Sequence, residues 1–105
     1  MIKDGKPYSN ENGSVDDKLM KDLSKEEQEM VIDWINVNIY PRKTVLNSYT
    51  SYGIKHILER ELGIYLTNNQ FKDAMLICGY YPINPNALNW TYRISKQSPA
   101  FRKEK

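Results

Sequence analysis

Two short capping signatures constrain this chain more than any other feature, because each dictates where a helix begins. Ser24 and Glu27 make S-x-x-E, and Thr67 and Gln70 make T-x-x-Q. In such a box the two residues satisfy each other's backbone N–H groups, which the first helical turn leaves without partners. The second box closes the stretch SYGIKHILERELGIYLTNNQF, residues 51–71, which reads as helix, glycine break and new helix start.

Behind the first box, Met30, Val31, Trp34, Ile35 and Asn38 recur at helical spacing. Glu26, Glu27 and Glu29 lie in the first turns, where the helix dipole favours carboxylates. A helix is predicted from about Lys25 to Asn38, ended by Pro41, since the residue before proline avoids the helical region. A second helix starts at Thr50 or Ser51. Its stripe is Ile54, Ile57, Leu58 and Leu62, with Glu61 the one polar exception, and Gly63 sits where a terminal glycine takes positive φ. A third helix from Thr67 buries Phe71, Ala74, Met75 and Cys78 and stops at Gly79.

Ile64–Leu66 is short and strand-like. Trp90, Tyr92 and Ile94 alternate with polar neighbours at strand period, and Asn89–Ser95 is predicted to form a hairpin with Tyr80–Ile83 across PINPNAL. Residues 1–22 are polar, with Gly5, Pro7 and Gly13, and are expected to be a flexible segment with little regular structure. Residues 97–105 read as a basic tail, which leaves 23–96 as a single domain. The fold class expected is α+β, winged helix-turn-helix-like: three helices and a small C-terminal β-hairpin. In helix-turn-helix modules the second helix of the pair enters the major groove; here that is Thr67–Cys78.

The 105 residues fit one domain. A single cysteine, Cys78, rules out a disulfide within the chain and suits a reducing compartment. No apolar run approaches the ~20 residues of a membrane span, and MIKDGKPYSNENGS lacks the apolar core of a signal peptide. The expectation is a cytoplasmic protein with no membrane contact. The net charge of +2 is uneven: residues 1–39 carry five lysines against nine carboxylates, and residues 40–105 carry ten cations against four. A basic C-terminal part fits a polyanion partner; solvated helix faces that happen to segregate are the plainer account.

For such a partner, the outward positions of the third helix are expected to be Asn68, Asn69, Lys72, Asp73 and Leu76. Asn69 and Lys72 have the chemistry to probe base edges. Arg42, Lys43, Lys55, Arg60, Arg93 and Lys96 suit phosphates, with Arg93 in the wing. Asp73 and Leu76 dilute that face and fit a protein contact as readily. The aromatic residues Tyr52, Tyr65, Tyr80, Tyr81, Trp34 and Trp90 offer rings for unpaired bases, against the simpler account of core and hairpin packing.

Catalytic signals are weak. His56 is the only histidine, and a metal site needs several converging ligands. Cys78 falls on an apolar stripe, where free cysteines act as small hydrophobes. Glu59 and Glu61 point to different faces of a helix, and Glu59 is placed to pair with Lys55. No phosphate-binding loop, dinucleotide fingerprint or nucleophile elbow is present. No catalytic residue, metal or cofactor is expected.

The pieces SYGIKH and YLTN, a nearby Phe71, Gly79 and the N-x-x-Y-x-I-S of Asn89–Ser95 together resemble a family of small uncharacterised bacteriophage and prophage proteins. Its members read S-Y-G-L-K-H and Y-V-S-N-G in the corresponding pieces. Tyr52, Gly53, Lys55 and His56 match the first piece, and the resemblance spans roughly Pro41 to Pro99. Asn69 stands where the family often has glycine, so no special backbone role carries over to that position. The resemblance implies phage or prophage origin, an intracellular setting and a winged-helix-like body; it brings no catalytic residues. Gly53 lies within the first turn of the second helix, where it is expected to allow close approach of a neighbouring element or a partner.

The leading expectation is a non-enzymatic protein that binds DNA or RNA through a basic winged-helix-like surface. The alternative is a phage-encoded protein that binds and modulates a host factor, such as a defence nuclease or CRISPR effector. A homodimer through the first helix is a third possibility.

Overall fold

The computed structural model describes residues 2, 3, 5–7, 9–11, 14–16 and 18–102. The chain opens with two short antiparallel hairpins, β1 (Ile2–Lys3) with β2 (Lys6–Pro7) and β3 (Ser9–Glu11) with β4 (Ser14–Asp16). A 3-10 turn at Met20–Asp22 leads into α1 (Lys25–Asn38). Then follow strand β5 (Pro41–Leu46), helices α2 (Ser51–Leu62) and α3 (Asn68–Ile77), strand β6 (Tyr92–Ile94) and a short α4 (Pro99–Arg102). The result is an α+β body of 35 × 30 × 23 Å, with three long helices beside the two-stranded sheet β5–β6. Among the described residues, no helix is long and apolar enough to cross a membrane.

Both capping boxes form as the sequence predicts. Glu27 N donates to Ser24 Oγ at 3.1 Å and Ser24 N to the Glu27 carboxylate at 3.3 Å. Gln70 N donates to Thr67 Oγ1 at 3.1 Å and Thr67 N to Gln70 Oε1 at 3.0 Å. Gly63 closes α2 at φ 69°. Gly79, at φ 91°, lets the chain turn back so that Tyr80 N reaches Met75 O at 2.8 Å. Both angles are ones that side chains with a Cβ rarely adopt.

The predicted stripes meet in one core. Val31, Trp34 and Ile35 of α1, Ile54, Ile57 and Leu58 of α2, and Phe71, Ala74 and Met75 of α3 are all buried. Tyr92 and Ile94 face inward and Arg93 outward, the alternation expected of β6. Glu61, the polar exception on α2, accepts the indole N–H of Trp34 at 2.9 Å.

Several expectations are corrected. The strand Tyr92–Ile94 pairs antiparallel with Pro41–Leu46, not with Tyr80–Ile83. Pro82 has no N–H to give a ladder, and the backbone N–H of Tyr80 is already used to close α3. One bond remains of the expected hairpin, Ile83 N to Thr91 O at 3.0 Å. Ile64–Leu66 forms no strand.

The described residues of 1–22 include two antiparallel strand pairs and a 3-10 turn where little regular structure is expected. Residues 98–102 are not a loose tail. Ser98 accepts from Tyr40 N at 2.9 Å, and Phe101 stacks on Tyr49 with ring centroids 4.1 Å apart. The basic end of that tail, residues 103–105, lies outside the described residues.

Gly53 does not mark a close approach within the chain. A Cβ added there meets only the Tyr49 ring, at an ordinary 4.0 Å. Gly53→Ala is therefore expected to stabilise the fold by about 0.4–1 kcal/mol by restricting the unfolded chain. Urea unfolding measures it, and a lower midpoint contradicts the open space.

Candidate nucleic-acid interface

The third helix is the first place to look, and it is covered. Asn69 and Lys72, the expected base readers, are 0% and 1% exposed, and Asp73 is 2% exposed. The cover is the chain's own N-terminal part. Asn69 Nδ2 donates to Pro7 O at 3.0 Å and to Lys18 O at 2.9 Å. Gln70 Nε2 donates to Leu19 O at 3.3 Å, and the Asp73 carboxylate accepts from Met20 N at 2.9 Å. These polar side chains satisfy the backbone of the covering segment, whose buried groups need partners. The Lys72 ammonium lies over the Trp90 ring, 4.8 Å from its centroid. The expectation that Asn69, Lys72 and Asp73 face outward is corrected: the face that looked like a reader of bases reads the chain's own main chain.

Asn68 is half-buried and also engaged. It accepts from Ser51 Oγ at 3.1 Å and donates to Leu88 O and Asn89 Oδ1 at 3.3 and 2.9 Å. Lys55 is buried and bonds Glu59 at 3.1 Å, the pairing read from its spacing. Arg60 is exposed on the last turn of α2.

The remaining four predicted cations, Arg42, Lys43, Arg93 and Lys96, come together on or beside one sheet. Arg42 and Lys43 lie on β5, Arg93 on β6, and Lys96 two residues past the end of β6; all four are exposed. Pro41 opposes Ile94 and Leu46 opposes Tyr92, so β5 uses more residues than β6 between those pairs. The excess bows Arg42–Val45 out of the ladder as a bulge, which re-aims side chains. Arg42 and Lys96 line one cleft of about 250 Å³ with Thr44, Val45, Leu46 and Ile94. Arg93 lines another, of about 330 Å³, with Pro41, Cys78, Gly79, Tyr80 and Tyr81.

None of the four forms an ion pair with a described residue. The reason is in the chain: no carboxylate lies between Asp33 and Glu59, or between Asp73 and Glu104. Those two acid-free segments supply both strands. The gaps are visible in the sequence, but that they pair is not, so the sheet is not legible there as a unit.

A second cluster surrounds Glu59. Its carboxylate accepts from Lys55 Nζ at 3.1 Å and from Leu66 N at 2.9 Å, and it lies 3.2 Å from His56 Nδ1. His56 stands edge-on to Tyr52, with centroids 4.4 Å apart, and the Lys55 ammonium is 5.3 Å from both the Tyr52 and Tyr65 rings. Residues from both pieces of the quoted motif thus meet. Glu59 fastens α2 to the α2–α3 connection, and Tyr52 and Tyr65 remain exposed around it.

Cys78 is partly exposed, and burial pushes its thiol up to about 11. Thiolate, the reactive form, is then scarce at neutral pH. Alkylation by iodoacetamide is expected to be slow at about pH 7.5 and to rise roughly tenfold per pH unit toward pH 11. Stopped time points read by mass spectrometry check this, and a rate that levels off near pH 8 contradicts it. No group of three or more His, Cys, Asp and Glu able to hold a metal occurs among the described residues. Compared with models of protein families, with curated proteins and with solved structures, the chain matches none.

Proposed function

We propose that this chain is a non-enzymatic nucleic-acid-binding protein, of phage or prophage origin, whose contact surface is the β5–β6 sheet. The observation that carries the reading is the set of four exposed cations, Arg42, Lys43, Arg93 and Lys96, on or beside a sheet without carboxylates. Surface cations usually sit among acids; cations clustered without counter-charge concentrate positive potential and attract phosphates. In this reading the bulge of β5 acts as the wing of a winged-helix-like body. The covered α3 takes no part in recognition.

Gel-shift titration at several salt concentrations tests it. Binding to pooled DNA and RNA at ~50 mM salt is expected to weaken steeply as salt rises, with a log–log slope of about −0.9 for each phosphate neutralised on duplex DNA and about −0.7 on a single strand. The double variant Arg42→Glu/Lys43→Glu is expected to reduce that slope by about 2 and lower affinity on the order of 100-fold. Absence of binding at ~50 mM salt rules the proposal out.

The second reading is a host-protein partner, and Tyr52, Tyr65 and Leu88 favour it. All three are large and exposed, at 50%, 74% and 41%. Exposed aromatic residues near a fastened ion pair suit the core of a protein interface. A host partner retained from lysate after nuclease treatment, and released by Tyr52→Ala/Tyr65→Ala, supports this reading.

A further inference from the structure

Tyr81 is 69% exposed, yet it stands beside the basic sheet and not at a loop tip far from it. It borders the cleft of about 330 Å³ together with Arg93 and Pro41, a volume in the ~300–1,000 Å³ range of small-ligand sites. Resting on the nucleic-acid reading above, we propose that this cleft seats one unpaired nucleobase, and that the sheet's ligand is a single strand.

Three features support the assignment. The neighbouring Tyr80 is fastened by its hydroxyl, which donates to Ile39 O at 3.0 Å, so it forms a fixed wall. Gly79 contributes no side chain, and its φ of 91° disfavours any residue with a Cβ there, which keeps that wall open. Arg93 supplies charge at the cleft, and Pro41 leads directly into Arg42 and Lys43. A base stacked on Tyr81 therefore has cations beside it for its own and following phosphates. This pairing of an aromatic face with a basic track is how single strands are held without sequence reading. A duplex keeps its bases stacked inside, and the one helix of the right order to enter a groove, α3, is covered.

Fluorescence anisotropy of the full chain with a labelled 12-nucleotide DNA, its RNA counterpart and a hairpin duplex tests the proposal. The single strands are expected to bind at least tenfold tighter than the duplex. Tyr81→Ala is expected to weaken single-strand binding about 5- to 100-fold, and Tyr81→Phe to stay near wild type. The two single strands together separate RNA from DNA preference. Tyr81→Ala leaving single-strand binding unchanged, or a duplex bound as tightly, overturns the single-strand assignment. If salt-sensitive binding lost in Arg42→Glu/Lys43→Glu persists alongside that result, the sheet reading stands without it. No binding to any of the probes overturns both.

Discussion

Trp90→Ala is expected to remove about 3–5 kcal/mol of stability, the usual cost of emptying a large aromatic site. Trp90 is fully buried and serves three neighbours at once. Its backbone exchanges two bonds with Ser51, the first residue of α2: Ser51 N donates to Trp90 O at 2.7 Å, and Trp90 N to Ser51 Oγ at 3.0 Å. The indole N–H reaches Pro85 O at 3.2 Å and so holds the turn before β6. Its ring faces the buried Lys72 ammonium, which loses that aromatic surface in the variant. Domains are stable by only about 5–15 kcal/mol, so a large share of the total is at stake. Urea unfolding by circular dichroism measures the loss. Trp90→Phe, which keeps a ring, is expected to cost clearly less. A loss below about 1 kcal/mol for alanine would falsify the central role given to this residue.

Asp73→Ala is the second large effect. The Asp73 carboxylate accepts from the buried Met20 N–H and stands 3.8 Å from Lys6 Nζ, tying both parts of the N-terminal segment to α3. Removing it takes away a charge-assisted bond and leaves a buried donor without its acceptor, a cost of about 2–3 kcal/mol. Hydrogen exchange is expected to show faster amide exchange over residues 18–23, with α1 and α2 still protected. Asp73→Asn keeps an oxygen for Met20 and is expected to fall between alanine and wild type. Uniform loosening of the whole chain would instead mean that the segment and the body unfold as one unit.

How far the sequence could be read follows from the range of each interaction. Ser24–Glu27, Thr67–Gln70, Gly63 and Gly79 act within a few residues, so the helix ends were legible. The alternation of Tyr92, Arg93 and Ile94 was legible as a strand for the same reason. Its partner was not. PRKTVL reads as a basic connection after a helix, and only its pairing across about fifty residues of chain makes it a strand. Each candidate cation is legible by itself; their grouping depends on that pairing.

The largest difference between local pattern and fold lies at Asn69, Lys72 and Asp73. Polar residues on a helix ordinarily face water. Nothing local to α3 announces that Pro7 and residues 18–20 pack over it and supply carbonyl and amide groups for those side chains to bind.

By itself, then, the sequence determined the helices, their ends, the apolar stripes and the lack of counter-charge in two segments, because these depend on neighbours along the chain. Only the tertiary structure decided which polar face is covered and which cations share a surface. Those outcomes depend on hydrogen bonds and strand pairs between residues distant in sequence, whose partners no local pattern names.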